Sequence, residues 1–252
     1  MPDPLSIRDR PPGRPILHQI CDRLIFLHWP VPAALLRPLV PRQLAIDTLD
    51  GTAWISIVPF RILGMGPAWI PPLPLVSRSL QINVRTYVHL EGVPGVWFLS
   101  LDASNPLAVL GARAGFALPS FPARMAMQER GGSVCFASRR ILAGPPAMFS
   151  AEWRTGPELP EARPGSPEFF LTERYYLYTV RGGRLLRCRI FHLPWSLRRA
   201  RLDALSSSML ESHGLPAPGQ EPILHHQAAP MHLHIWRPQK TNRDETTGLS
   251  VR

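Results

Sequence analysis

The chain has 252 residues, 45% of them hydrophobic, so a single domain with a sizeable apolar core is expected. Its formal net charge is +10, but the charge is carried by scattered arginines, with Lys240 as the one lysine, and no block of like charges or nucleic-acid-binding motif accompanies it. These features argue against a nucleic-acid partner, and the thirty prolines favour many strands joined by turns.

The cysteines and the N-terminal sequence indicate the compartment. Cys21, Cys135 and Cys188 lie far apart without a C-x-x-C pair, as is typical of reduced intracellular thiols. Neither a secretory signal nor an apolar run of roughly 18 residues occurs, so no membrane association is predicted. We therefore expect a cytoplasmic protein with a flexible N-terminal tail (1–14), one domain (15–238) and a flexible C-terminal tail (239–252). A homo-oligomer is compatible with the sequence.

Strand patterns dominate the chain, and helical patterns are few. A short helix is predicted after Pro32, and a longer one over residues 105–116, where Asn105 can cap the helix and Pro106 suits its first position. Residues 156–167 predict a surface loop, and residues 196–211 fit either a helix or a strand. The predicted class is α+β, mainly β, with strands at residues 24–28, 52–62, 80–88, 96–101, 134–141, 175–180, 185–191 and 232–236.

Residues 80–88 (LQINVRTYV) alternate between polar and apolar side chains. Because successive strand side chains point to opposite faces, the polar row consists of Gln81, Asn83, Arg85 and Tyr87. Such a row either faces solvent or lines a cavity. Arg85 is a candidate carboxylate receptor, since a guanidinium can bind a carboxylate through two parallel hydrogen bonds.

A second polar set occurs in residues 172–178 (TERYYLY), where Glu173 and Tyr175 share one face of an extended segment. Glu173 could act as a general acid or base if it is partly desolvated. The favoured alternative is a structural salt bridge, with Arg85 or Arg113 as the partner.

Histidines form three further groups of interest. Pairs with tryptophan end two predicted strands and either border a pocket or pack as aromatic side chains: His28 with Trp29, and His192 with Trp195. Two other pairs suggest a metal site: His225 with His226, and His232 with His234. No carboxylate or cysteine lies in the same segment, so no metal and no other cofactor is predicted.

Several segments occur in a familiar order: LIFLHWPVPAALLRPLVPRQLAIDTLDGTAWISIVPF, NVRTYV, GVWFLSLDA, FLTERYYLYT and HLPWSLRRA. Together they resemble the YqjF-like family, a bacterial domain of unknown function, over about residues 16–238. That family is placed in the acetoacetate decarboxylase-like superfamily. The resemblance implies a curved, largely antiparallel β-barrel or cone around a ligand cavity.

The decarboxylases of that superfamily use a lysine that forms a Schiff base with a β-keto acid. The matching stretch of this chain, residues 111–123, holds Arg113 but no lysine, and an arginine stays protonated and is a poor amine nucleophile. Gln81 stands where related sequences commonly have a glutamate, and Lys240 lies in the predicted tail. Schiff-base decarboxylation is therefore not expected.

The first functional hypothesis is a barrel that binds a small carboxylate or keto compound and acts on it without a lysine, as a lyase- or hydrolase-like enzyme. In this hypothesis the residues around the cavity bind and orient the ligand while Glu173 shuttles a proton; the ligand-binding set is Arg85, Asn83, Tyr87, Gln81, His28, Arg113 and Tyr175. The alternatives are a ligand sensor or carrier without turnover, and a structural interaction protein.

Overall fold

The computed structural model describes residues 5–71, 77–142, 144–219 and 221–241, and residues 1–4 and 242–252 of the predicted tails lie outside these ranges. The first half of the chain contains β1 (Leu17–Asp22), β2 (Ile25–Val31), α1 (Ala33–Leu36), β3 (Ala45–Ile46), β4 (Thr48–Leu49), β5 (Thr52–Pro67), β6 (Arg78–Leu90), β7 (Val93–Ala103), α2 (Pro106–Phe116) and β8 (Ser120–Arg130). The second half contains β9 (Ser133–Arg140), β10 (Met148–Glu158), α3 (Pro167–Thr172), β11 (Tyr176–Arg181), β12 (Arg184–Phe191), β13 (Leu197–Ser207), β14 (Leu224–Ala228), β15 (Met231–Ile235) and β16 (Gln239–Lys240). Short 3-10 helices occupy Ser6–Arg8, Arg37–Leu39 and Glu211–His213.

The strands form one continuous sheet that closes on itself twice. One ring runs β1, β15, β12, β11, β7, β6, β5 and back to β1. The other runs β7, β8, β9, β10, β13, β14, β2, β5, β6 and back to β7. Neighbours in these rings are antiparallel, except that β7 pairs in parallel with β8 and β11. The prediction of a mainly β chain with a closed, largely antiparallel sheet is confirmed.

The three shared strands β5, β6 and β7 separate two interiors. On β6, Ile82 and Val84 point into the second ring, whose core also holds Ile57, Phe136 and Trp153. Because side chains alternate along a strand, the intervening residues of β6 point into the first ring. The second ring is therefore filled with apolar side chains, and the polar row of β6 faces the first.

The longer predicted helix is confirmed as α2. The Asn105 side-chain oxygen accepts hydrogen bonds from the backbone N–H groups of Leu107 (2.9 Å) and Ala108 (3.4 Å), and Pro106 occupies the first helical turn. These bonds satisfy donors that have no partner within the helix. None of the helices in the described part of the chain is long and apolar enough to cross a membrane.

The ambiguous segment 196–211 forms β13 over most of its length, because it pairs with β10 on one side and β14 on the other. The predicted loop 156–167 begins within β10 and ends at the start of α3. Neither β10 nor β14 was predicted from the sequence. The local pattern of residues 196–211 alone therefore did not decide their secondary structure.

Parts of both predicted tails contact the domain. Arg189 of β12 donates hydrogen bonds to the backbone oxygens of Ile7 and Asp9, and the indole of Trp236 donates to that of Pro12 (3.2 Å). At the other end, Gln239–Lys240 pairs with β12. The domain boundaries themselves stay a prediction.

Candidate functional site

A cavity of about 310 Å³ lies inside the first ring, and each of the ring's seven strands contributes to its wall. The lining is largely apolar and includes Phe26, Phe60, Phe98, Leu177 and Ile235. Helix α2 closes part of the wall. The volume falls at the lower end of the range found for small-molecule sites.

The polar row of β6 lines this cavity. Gln81, Asn83 and Arg85 all contribute to the wall, and Gln81 and Asn83 are each 6% exposed. The apolar row, with Ile82 and Val84, is fully buried in the second ring. The sequence left open whether the polar row faces solvent or a cavity. In the structure the row of amides and guanidinium borders the cavity.

Arg85 carries a charge with no carboxylate partner among the described residues. Its Nη2 donates to the backbone oxygen of Leu171 (3.2 Å), while its buried Nε has no hydrogen-bond partner. The guanidinium lies 5.2 Å from the ring centre of Phe26. Asn83 Oδ1 is likewise buried and unpartnered. Since buried polar atoms are nearly always hydrogen-bonded, these two side chains are suited to a polar ligand in the cavity.

A second guanidinium lines the same cavity, but its charge is compensated. Arg174 forms an ion pair with Asp47 (Nη1–Oδ2, 2.5 Å) and donates from Nε to the backbone oxygen of Phe170 (2.6 Å). Burial lowers the pKa of Arg174, and Asp47 opposes that shift. Arg85 therefore remains the uncompensated positive charge of this wall.

Tyr87 and His28 lie beside the cavity wall in a buried cluster with Ser56. His28 Nδ1 is 2.7 Å from Ser56 Oγ and 3.2 Å from Tyr87 Oη, and the Tyr87 hydroxyl donates to the backbone oxygen of Leu171 (3.0 Å). Burial, reinforced by His226 and Arg85, lowers the pKa of His28 well below its ordinary value. His28 is therefore neutral at physiological pH, and neither it nor Tyr87 is among the cavity-lining residues.

Glu173 does not pair with Arg85 or Arg113. Its side chain is fully buried, and it accepts hydrogen bonds from the Tyr175 hydroxyl (2.5 Å) and the backbone N–H of Trp195 (3.0 Å). The Nε of Arg8, from the N-terminal segment, lies 3.3 Å from Glu173 Oε2. These contacts match the structural salt bridge favoured from the sequence, with a partner that the sequence did not indicate. A catalytic role for Glu173 stays a prediction.

Tyr175 and Arg113 also lie outside the cavity wall. The buried Tyr175 ring stacks on His192 at 4.4 Å between ring centres, and burial together with the bond to Glu173 raises the pKa of its hydroxyl. Arg113 is exposed on α2 and donates to the backbone oxygen of Ser120 (2.6 Å). Neither side chain contacts the cavity directly, and their assignment as ligand-binding residues stays a prediction.

Several lining residues were not chosen from the sequence: Gln19, Cys21, Thr172, Arg174, His192 and Trp195. The last two belong to a histidine–tryptophan pair that was considered as a pocket border, so a signal was present. Thr172 and Arg174 flank Glu173 and line the cavity, whereas Glu173 is not among the lining residues. Burial lowers the pKa of His192.

Part of residues 111–123, the stretch that the resemblance related to the decarboxylase lysine region, reaches the cavity. Gly111, Ala112 and Leu118 line it, and none of them carries an amine. Lys240 is exposed on β16 and lies outside the cavity lining. The described residues thus offer no amine to the cavity.

The histidine pairs do not assemble into a metal cluster within the described ranges, where no group of three or more His, Cys, Asp or Glu side chains is placed to hold an ion. His226 Nε2 lies 3.8 Å from Glu168 Oε1, and His225 Nδ1 lies 3.4 Å from the backbone oxygen of Pro222. His232 is exposed on β15, where His234 pairs with β1.

Five buried or half-buried histidines predict acid sensitivity. Burial lowers the pKa of His28, His192, His213, His226 and His234, that of His213 to about 4. In the unfolded chain the pKa of histidine is about 6.5. Below that pH the unfolded state binds more protons than the folded state, so the free energy of unfolding decreases. We expect the thermal midpoint to fall steadily from pH 6.5 to pH 4.

The variant His213→Gln should lessen that fall, because the side chain at this position no longer takes up a proton on unfolding. The exposed His232→Gln serves as its control and should change the profile less than His213→Gln does. Thermal denaturation at a series of pH values measures both. A midpoint that is constant between pH 7 and pH 4 would contradict this account.

Comparison with known proteins gives two sequence matches. The model of the family DUF2071, described as an uncharacterized conserved protein, matches residues 18–230. The uncharacterized protein YqjF of Bacillus subtilis (strain 168) is 38% identical over 216 residues, which cover 86% of this chain and 89% of that protein.

Solved structures with a similar fold share little sequence identity with this chain but cover most of its length. The enduracididine biosynthesis enzyme MppR, complexed with pyruvate, is 11% identical with a TM-score of 0.61, covering 91% of each chain. An acetoacetate decarboxylase-like enzyme from Sphingomonas wittichii RW1 is 10% identical with a TM-score of 0.61, covering 91% of this chain and 94% of that one. At these identities the likeness establishes the fold, and the predicted acetoacetate decarboxylase-like fold is confirmed.

Proposed function

Because the chain belongs to the DUF2071 family of uncharacterized conserved proteins and has an acetoacetate decarboxylase-like fold, we propose that it binds a small carboxylate or keto compound in its cavity. Arg85 holds the carboxylate in this proposal, and no Schiff base is formed. Fold likeness alone does not determine function, so the proposal depends on the site.

One observation carries the proposal: a guanidinium without a carboxylate partner, among the described residues, borders a small apolar cavity. Burying a charge without a counter-ion is costly, and an anionic ligand removes that cost while forming charge-assisted hydrogen bonds. The unpartnered atoms Arg85 Nε and Asn83 Oδ1 lie on neighbouring inward-facing positions of β6. A carboxylate satisfies the unpartnered Arg85 donor of this pair.

The structural relatives support the ligand class. One of them, MppR, is described as complexed with pyruvate, which is a small keto acid. The chemistry in this chain must differ from that of a lysine-dependent decarboxylase, since the cavity wall carries no lysine among the described residues. The polar side chains left for the ligand carry guanidinium, amide, hydroxyl, thiol and imidazole groups.

Calorimetric titration with matched ligand pairs tests the proposal. Pyruvate, acetoacetate and butyrate are compared with neutral analogues such as butyramide, after native mass spectrometry has established whether the purified protein already carries a ligand. We expect at least one carboxylate to bind and its amide analogue to bind at least about tenfold more weakly, because the amide lacks the charge that Arg85 would pair with. Equal affinity for acid and amide, or no binding of any carboxylate, would refute the proposal.

A carrier or sensor without turnover is the second candidate. It is favoured by the position of Glu173, which is fully engaged with Arg8, Tyr175 and Trp195 behind the cavity wall. Incubation of the protein with each bound carboxylate, followed by mass spectrometry of the small molecules, separates the candidates. Unchanged ligand supports a carrier, and a new product mass establishes an enzyme.

A further inference from the structure

The cavity has a buried end and an open end. At α2, Leu107 lines the cavity and is 50% exposed, and Gly111 both lines it and is exposed. At the other end the lining residues Phe26, His192 and Trp195 are 1%, 2% and 5% exposed. The exposed part of the cavity wall therefore lies at α2.

The strand register places Arg85 away from α2. Gln81 pairs with Ala103, the last residue of β7, and α2 starts shortly after it. Arg85 lies four residues further along β6, and a strand advances about 3.3 Å per residue, so the guanidinium-bearing residue is about 13 Å from Gln81 along the strand. The cavity therefore extends as a channel from a carboxylate held by Arg85 to the opening at α2.

The sides of this channel are mainly apolar. The strand neighbours of Gln81 and Asn83 on β5 are Phe60 and Val58, and Leu101 pairs with Asn83 from β7. All three apolar side chains line the cavity. A two- or three-carbon acid would fill only the buried end and leave most of the apolar wall without a partner.

We propose that the ligand is an elongated monocarboxylate with an apolar alkyl or arylalkyl body, which binds with its carboxylate at Arg85 and its apolar end towards α2. The inference rests on the proposed function and specifies the ligand class of the same site. The exposed Leu107 and Leu110 of α2, at 50% and 62%, extend the apolar surface out of the cavity mouth.

The wild-type protein is titrated calorimetrically with the linear series acetate, butyrate, hexanoate and octanoate, each beside its primary amide. Affinity is expected to increase about three- to fourfold per methylene, since each buried methylene contributes about the corresponding transfer free energy. The acid should bind more tightly than its amide at every length that binds.

The variant Gly111→Leu tests the orientation. A Cβ added at Gly111 meets no atom within 4 Å, and the residue lines the cavity at α2, so a leucine there should obstruct the opening without disturbing the fold. Gly115→Leu is the matched control, because Gly115 is a glycine of the same helix with equally open surroundings and lies outside the cavity lining. Octanoate binding should weaken at least about tenfold in Gly111→Leu, with butyrate changed less than about twofold.

The outcomes separate the two proposals. An affinity that is independent of chain length, with acids still preferred over amides, overturns this inference and leaves the proposed function in place. Equal weakening of butyrate and octanoate by Gly111→Leu, at an unchanged thermal midpoint, overturns the proposed orientation. Failure of every carboxylate to bind overturns both proposals.

Discussion

Replacing Arg85 with glutamine is expected to weaken the binding of a carboxylate ligand by about 30-fold or more, equivalent to a loss of about 2 kcal/mol or more. Glutamine keeps a polar side chain at the wall but removes the charge. The variant should fold about as well as the wild type, because the half-buried guanidinium has no carboxylate partner among the described residues and donates one hydrogen bond, to the Leu171 carbonyl. Isothermal titration and thermal denaturation measure the two quantities.

Arg124→Gln is the matched control for this experiment. Arg124 is exposed on β8 and is not among the cavity-lining residues, so its replacement makes the same change in net charge away from the cavity. Ligand affinity should be unchanged in the control. If both variants lose affinity equally, or if neither does, Arg85 is not the carboxylate receptor.

Replacing Glu173 with alanine is expected to lower the free energy of unfolding by about 3–5 kcal/mol, the usual cost of removing one partner from a buried ion pair. The substitution leaves the Tyr175 hydroxyl and the Trp195 backbone N–H without their acceptor, in addition to removing the partner of Arg8. Denaturant unfolding monitored by tryptophan fluorescence gives the difference directly.

Glu161→Ala is the control for Glu173→Ala, because Glu161 contacts the same arginine (Arg8 Nη1–Oε1, 2.8 Å) but is 64% exposed. Its loss should cost less than about 1 kcal/mol, as for other exposed ion pairs. Glu173→Gln supplies the functional test, since it keeps the size of the side chain. A Glu173→Gln protein of near wild-type stability that binds ligand but has lost a measured turnover would contradict the structural role and establish a catalytic one.

The polar and apolar rows of β6 could be predicted from the sequence because alternation within one strand is a local property. The sequence could not decide whether the polar row faced water or a cavity, since that depends on β1, β12 and β15 closing the ring from distant parts of the chain. Both rings share β6, so both of its faces are covered. Alternation within the strand was enough to select Arg85 as a candidate receptor. The cavity around it depends on tertiary contacts that the local sequence does not show.

The ion pairs around the cavity were beyond local prediction. Arg174 pairs with Asp47, 127 residues away, and Glu173 forms an ion pair with Arg8 from a segment expected to be a flexible tail. A proline-rich N-terminal sequence carries no periodic signal that would indicate docking. Arg113 was a reasonable candidate because it lies in the stretch matching the decarboxylase lysine region, but it is exposed on α2 and its Nε is directed to the Ser120 carbonyl.

The most direct test of the central claim is a crystal structure of the protein with hexanoate bound. We predict carboxylate oxygens about 2.7–2.9 Å from the guanidinium nitrogens of Arg85, the usual length for such charge-assisted hydrogen bonds, with the alkyl chain passing Asn83 and Gln81 towards α2. A carboxylate held at the α2 opening, or hexanoate bound outside the ring while the cavity holds only solvent, would contradict the claim.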